Sequence, residues 1–272
     1  MDYNQLKSNL EKGLTTSQIG EIVGLHHNTV SYWIQKYDMR SLMKNKPVEY
    51  IDDTMFNKID TPEKAYIIGY MLADGYISDT HVELGCALKD REILDFIKEN
   101  IGCNIYVDNH SDAKTKRFPR ARVSIGNKNI VTDVGKHGSK KEERRIPIIP
   151  KHLDRYLLLG FFDGDGCITW GRRKDRNRVW QKISFTSSLK LLDGVQKILI
   201  NRIGISSSIK PKSKEKCFVL NFCNKNDVLK FLDYIYPDNN FIVLNRKYVK
   251  ANALRLELDE FREHPKTLSE AV

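Results

Sequence analysis

Two eight-residue stretches of this 272-residue chain carry the same chemistry at the same spacing. The first is Ile68-Gly69-Tyr70-Met71-Leu72-Ala73-Asp74-Gly75 and the second is Leu159-Gly160-Phe161-Phe162-Asp163-Gly164-Asp165-Gly166. Each is an apolar run with two small residues four apart, closed by Asp-Gly. Small residues at that spacing let two helices approach backbone to backbone. A glycine after the last carboxylate reads as a left-handed helix stop. If the helices pair, Asp74 and Asp165 come to lie side by side at their ends. A carboxylate at a helix C-terminus is disfavoured by the helix dipole, by ~0.3–1 kcal/mol. Making that placement twice is better explained by a bound cation than by stability. The pair, with the backbone near Ala73 and Gly164 as further metal contact, suits Mg²⁺, with Mn²⁺ as a substitute, and the adjacent glycines leave room for a duplex. Mg²⁺ takes oxygen ligands, keeps several waters and needs few protein ligands where phosphates complete its shell. A metal held there can supply a nucleophilic water, charge stabilisation on a phosphate and a stabilised leaving oxygen.

Composition favours such a substrate. Forty-five Lys and Arg against 35 Asp and Glu leave a formal charge of +10. That balance points to a polyanionic partner without choosing between DNA, RNA and an acidic membrane. No apolar run reaches the length of a membrane span, and Met1-Asp2-Tyr3-Asn4 does not begin a signal peptide. The expectation is a cytoplasmic protein, nucleoid-associated in a bacterial or phage setting, with no membrane partner. The five cysteines, Cys86, Cys103, Cys167, Cys217 and Cys223, form neither C-x-x-C nor C-x-x-H. They read as reduced, mostly buried thiols rather than as a zinc site or disulfide framework.

The elements that must position the two aspartates repeat in order. Thr61-Pro62-Glu63 starts a helix with proline at its first position. Strand-like alternation follows through Val82, Leu84, Cys86 and Leu88, then a helix over about 92–99, a strand from Cys103, the clean alternation of residues 120–125, and a helix near 127–134. The second half repeats this, with helices over about 152–163 and 189–203, strands at 167–172, 178–186, 206–210 and 216–222, and closing helices near 227–235 and 244–256. The motif aspartates lie about 90 residues apart, a reasonable length for one α/β repeat. Residues 1–42 read differently. Thr15 and Gln18 make a capping box, Gly24 a left-handed stop, and a third helix carries Val30, Trp33, Ile34 and Tyr37 on one face. This is the helix-turn-helix pattern, whose last helix enters the major groove. It offers His27, Asn28, Thr29, Ser31 and Tyr32, with Lys36 and Arg40 near phosphates. The expected domains are therefore 1–42, a linker at 43–60, a first repeat at 61–150 and a second at 151–272.

At these residues the chain resembles the LAGLIDADG homing endonucleases in their single-chain, two-motif form, with the helical headpiece as an accessory. The resemblance spans about residues 61–258, and Arg145-Ile146-Pro147 and Leu244-Asn245-Arg246-Lys247-Tyr248 also look like family signatures. It implies an α+β fold of two pseudo-symmetric αββαββα units, with the motif helices at their interface and two four-stranded sheets forming a saddle over DNA. It implies that Asp74 and Asp165 bind divalent metal between the scissile phosphates. The family's earlier acidic position is Asp163 in the second motif and Leu72 in the first. One lysine per half is implied, by position Lys247 in the second half and Lys140 or Lys141 in the first, and the expected catalytic residues are Asp74, Asp165, Lys247 and Lys141. The implied activity is metal-dependent double-strand cleavage of a long asymmetric DNA site by a monomer. The same fold leaves two alternatives open: a DNA-binding regulator without cleavage, and an intron RNA maturase with RNA as partner.

DNA reading is expected from the polar sheet faces. Arg120, Arg122 and Ser124 share one face of a strand; Arg178, Trp180, Lys182, Ser184 and Thr186 share one face of another. The basic stretch from Arg172 and Arg173 to Arg178, and Lys114, Lys116 and Arg117, are placed on phosphates. Tyr70, Phe161 and Phe162 are assigned to packing.

Overall fold

A computed structural model describes residues 1–39, 42, 51–108, 118–173, 178–212, 217–237, 240–241 and 243–263. The chain divides into two compact units, Met1–Tyr50 and Ile51–Val272. Residues 43–50 of the expected linker, and Arg40, lie outside the described residues. The rest of that stretch is not a free linker: Met55, Phe56 and Ile59 are buried in the core of the second unit.

The first unit has three helices, α1 (Tyr3–Glu11), α2 (Thr16–Val23) and α3 (His27–Lys36). Thr15 and Gln18 satisfy each other's backbone at the start of α2. Gly24 ends α2 at φ 68°, ψ 29°, the left-handed conformation that its position demands. A small core forms from Leu6, Leu10, Ile19, Val30, Ile34 and Met39. Ile22 faces solvent. Helix α2 turns only a narrow stripe inward, through Ile19 and Gly20. A β-carbon on Gly20 would overlap the Leu25 carbonyl, so that stripe is held against the turn.

The second unit is α+β and repeats itself. The first repeat runs α4 (Pro62–Asp74), β1 (Tyr76–Ile77), β2 (Val82–Ala87), α5 (Glu92–Ile101), β3 (Ile105–Asp108), β4 (Arg120–Ile125) and α6 (Lys128–Gly135). The second runs α7 (Asp154–Asp165), β5 (Gly166–Arg173), β6 (Arg178–Ser187), α8 (Leu189–Ile203), β7 (Ile209–Pro211), β8 (Phe218–Phe222) and α9 (Lys225–Ile235), with α10 (Asn245–Glu263) added. Both sheets are antiparallel and share one order, β1-β2-β4-β3 and β5-β6-β8-β7. The alternation over 120–125 appears as drawn, with Ala121, Val123 and Ile125 buried and the residues between them exposed. Helices α4 and α7 are buried on nearly every side, from Ala65 to Ala73 and from Leu157 to Asp163. A helix apolar all round belongs in the middle of a core, and these two pack together more extensively than any other two described elements. Tyr70, Phe161 and Phe162 are core residues.

Two expectations need correcting. Gly75 and Gly166 do not end their helices in the left-handed conformation; they are extended, at φ −69° and −89°. Glycine is needed there for space, because a β-carbon would overlap the Met71 carbonyl in one case and the Phe162 ring in the other. The cysteines are all free, but only Cys86 and Cys103 are buried, and Cys167 and Cys223 are exposed on the second sheet and just beyond it.

Candidate metal centre and nucleic-acid interface

The small residues of the two motifs bring the helices to backbone contact. A β-carbon on Gly69 would overlap the Leu157 carbonyl and lie 2.9 Å from the Phe161 nitrogen. One on Gly160 would overlap the Tyr66 carbonyl and lie 3.0 Å from the Tyr70 nitrogen. One turn on, Gly164 lies against Ala73, and its notional β-carbon would sit 3.3 Å from a carboxylate oxygen of Asp74. Asp74 and Asp165 are thereby held together at the C-terminal ends of α4 and α7. Each feels the consequence. Burial, then the negative charge of Asp74, pushes the Asp165 carboxyl up to about 7, against the pull of Lys141, a hydrogen bond from Ser187 and the charge of Arg144. Asp74 keeps solvent access, yet the surrounding protein raises its carboxyl as well, opposed by Lys141, Lys247, Arg120 and Arg144. Two hard oxygen donors therefore converge where the nearby cations do not cancel their charge, which fits a divalent cation. No group of three or more His, Cys, Asp or Glu stands ready for a metal among the described residues. A metal at this pair would need oxygens from water and phosphate to complete its shell.

Burial and the neighbouring charge have a measurable cost. The folded pKa of Asp165 lies above its ordinary 3.8, so the fold is favoured at low pH and loses stability as pH rises from about 4 through 7. Asp165→Asn is expected to stabilise the metal-free protein at pH 8 by about 1–2 kcal/mol, discounted for partial solvent access. That gain, read as a higher thermal midpoint, should shrink towards zero at pH 4.

Asp163, the earlier acid of the second motif, is 4% exposed. It accepts a 2.8 Å hydrogen bond from the Tyr66 hydroxyl across the helix pair. Burial raises its carboxyl and lowers the amine of Lys247, which faces it. The charge of Lys247, the Tyr66 hydroxyl and the Leu244 backbone N–H oppose that rise.

Lys247, expected as a catalytic lysine, is engaged by the backbone at the end of α7. It is 6% exposed, and its ammonium donates to the carbonyls of Phe162, Asp163 (2.9 Å) and Gly166 (2.7 Å) at the end of α7. An ammonium has three donors, and three carbonyls take them. The first repeat uses a residue that the sequence reading passed over. Arg144, 2% exposed, donates to the carbonyls of Leu72 (2.9 Å) and Gly75 (2.5 Å) at the end of α4. Each motif helix thus ends on a buried cation that satisfies orphan carbonyls and opposes the dipole. A signal for Arg144 was present: it directly precedes the Arg145-Ile146-Pro147 signature. Lys141 is exposed and acts electrostatically on both aspartates, whereas Lys140 lies 3.9 Å from Glu143. A cleft of about 380 Å³ opens beside Asp74, lined by Tyr70, Glu83, Asp90, Arg120, Asp163 and Arg246 among others.

The open faces of the two sheets differ. On the first, Arg120, Arg122 and Ser124 are exposed; Arg122 lies 3.6 Å from Glu83, and Tyr106 is its register partner on β3. On the second, Trp180, Lys182, Ser184 and Thr186 line the face opposite buried Ile183 and Phe185. Trp180 covers Gly171, its register partner, and Lys212 donates to Thr186 at 3.3 Å. Arg172, placed on phosphates from sequence, makes a bidentate pair with Glu257 of α10 at 2.8 and 3.1 Å. Arg173 and Arg178 face each other in register at the strand ends, with their side chains outside the described residues. Residues 174–177 and Lys114, Lys116 and Arg117 also lie outside them. In the first unit, His27, Asn28, Ser31 and Tyr32 are exposed on α3 and Thr29 is half-buried. Lys36 covers the Trp33 ring at 4.6 Å.

Residues 152–236 match the family model described as a LAGLIDADG-like domain. Solved structures share the fold over about three quarters of the chain. One is the LAGLIDADG homing endonuclease I-GzeII in complex with its DNA target, at TM-score 0.56 and 11% identity, covering 77% of this chain and 94% of that one. The I-LtrWI LAGLIDADG homing endonuclease bound to target DNA gives 0.53 and 12%, covering 78% and 92%. I-SmaMI bound to cleaved DNA gives 0.54 and 12%, covering 75% and 92%. No curated protein matches the chain in sequence. The fold is that of the LAGLIDADG homing endonucleases, as the paired motifs implied, and residues 152–236 are similar to the LAGLIDADG-like domain.

Proposed function

We propose that this chain is a site-specific, Mg²⁺-dependent endonuclease of the homing type that cuts both strands of a long asymmetric DNA site as a monomer. One observation carries the reading: the carboxylates of Asp74 and Asp165 converge at the ends of two helices joined through Gly69 and Gly160. A regulator that only binds DNA has no use for two converging carboxylates, one of which raises the pKa of the other. Solved structures of this fold hold DNA targets, intact or cleaved, one of them in the presence of calcium ions. Within the proposal, Asp74 and Asp165 hold Mg²⁺, which when bound activates water and offsets charge on the phosphates. Lys247 and Arg144 hold the helix ends in place by saturating their carbonyls. Lys141, exposed and near both acids, meets a phosphate. The strands carrying Arg120, Arg122, Trp180 and Lys182 face bases in the major groove, and α3 of the first unit extends the footprint through His27, Asn28, Ser31 and Tyr32.

The test is cleavage of a plasmid carrying the uninterrupted flanking sequence of the reading frame, with Mg²⁺ and with a chelator. Linear product with Mg²⁺ alone supports the proposal; intact plasmid under both conditions, at protein levels that saturate binding, refutes it. Binding to the same duplex should also fall by about 10³-fold or more between 50 and 200 mM salt, since a protein of this charge neutralises many phosphates. Fluorescence anisotropy across a salt series reads that slope, and a flat one counts against a saddle over DNA.

A further inference from the structure

Helix α10 lacks the usual means of starting itself. The residue before it is Leu244, buried, with no polar side chain to cap the first turn. The cap comes from the other repeat. The carboxylate of Glu92, in the first turn of α5, accepts the backbone N–H of Asn245 at 2.9 Å across 153 residues. Beside it, Asp90 takes the guanidinium of Arg246 in a bidentate pair at 2.5 and 2.8 Å. The Asp90 carboxylate is 10% exposed and that pair lowers its pKa, so it is a committed partner rather than a loose surface contact. The next residue is Lys247, whose ammonium closes the end of α7 just where Asp165 leaves it.

We propose that Asp90 and Glu92 are positioning residues: the first repeat seats the base of α10 and so sets Lys247 at the second repeat's metal end. The two halves are then coupled by a polar clamp as well as by the helix interface. Its functional consequence rests on the endonuclease reading; the positioning itself does not. In this arrangement, loosening the clamp frees Lys247, lets the last turn of α7 fray, and impairs the half-site of Asp165 more than that of Asp74.

The test uses the full chain and an amine-acylating reagent read by mass spectrometry. Lys225 is the internal control, because it contacts the far end of the same helix at Leu258. Asp90→Asn with Glu92→Gln should raise acylation of Lys247 about tenfold relative to Lys225, the scale of a local opening of roughly 1.4 kcal/mol. Reversing the pair, Asp90→Arg with Arg246→Asp, should restore much of the protection that Arg246→Asp alone removes. In strand-resolved single-turnover cleavage, Asp90→Asn should slow one strand selectively and accumulate nicked circles, with target affinity unchanged. Equal protection of Lys247 in all variants, or parallel exposure of Lys247 and Lys225, overturns the clamp. Equal slowing of both strands overturns its link to α7. If the wild type cuts neither strand, the endonuclease reading fails while the acylation result still decides the positioning.

Discussion

Asp74→Asn and Asp165→Asn should each abolish double-strand cleavage, lowering its rate by on the order of 10³-fold or more, while leaving affinity for the same duplex nearly intact. The amide keeps the size of the carboxylate and removes the charge. The fold does not need that charge: burial and the neighbouring acid make the carboxylate of Asp165 unfavourable. A purely structural role predicts that Asn is harmful to stability; the metal role predicts a variant that folds as well or better and does not cut. Because the two acids belong to separate repeats, each single variant should leave a measurable trace of nicking at the strand served by the other. Strand-resolved gels with Mg²⁺ decide the matter. Full cleavage by either variant removes that aspartate from the site.

Gly160→Ala should be among the most destabilising single-methyl additions in the chain, at about 3–5 kcal/mol by chemical denaturation. Its new β-carbon would overlap the Tyr66 carbonyl and press within 3.0 Å of the Tyr70 nitrogen. Both obstacles are backbone in the middle of a buried helix, so no rotamer change relieves them. The helices must move apart, which also withdraws packing along the interface and separates the carboxylates at its end. The loss approaches the whole stability of many domains, so cleavage should disappear even where the protein remains folded. Gly126→Ala is the matched control: its β-carbon meets nothing within 4 Å, and the change should stay within about 0.5 kcal/mol. Equal denaturation midpoints for the two variants would contradict the close packing on which the site depends.

The repeat architecture was legible because it is written locally. Helix α8 occupies Leu189–Ile203, the span its periodicity predicts, and β4 alternates buried and exposed residues along the stretch marked by alternating chemistry. The paired small residues identified the helix interface, and the Asp-Gly closures identified the two acids. The boundaries of α7 and α10 shifted by one or two residues at the start and by up to seven at the end, where fraying and capping rather than pattern decide the limit. The cations were not legible. Lys247 looked like a free site lysine because nothing near it in sequence announces the three carbonyls of α7 that bind it. Arg144 stood beside a noted signature and was passed over, since its partners lie about 70 residues earlier at Leu72 and Gly75. Nor does the sequence near Arg172 announce its ion pair with Glu257, 85 residues on.

By itself, then, the sequence determined the two repeats, the pairing helices, the acids at their ends and the helical headpiece, because periodicity, small-residue spacing and capping act within a few turns of chain. Tertiary structure decided the extended conformation of Gly75 and Gly166, the use of Lys247 and Arg144 as helix caps, and the seating of α10 by Asp90 and Glu92. Those outcomes depend on which carbonyls and charges meet across tens to hundreds of residues. Desolvation makes an unsatisfied partner there costly, and only the folded chain reveals where each partner is found.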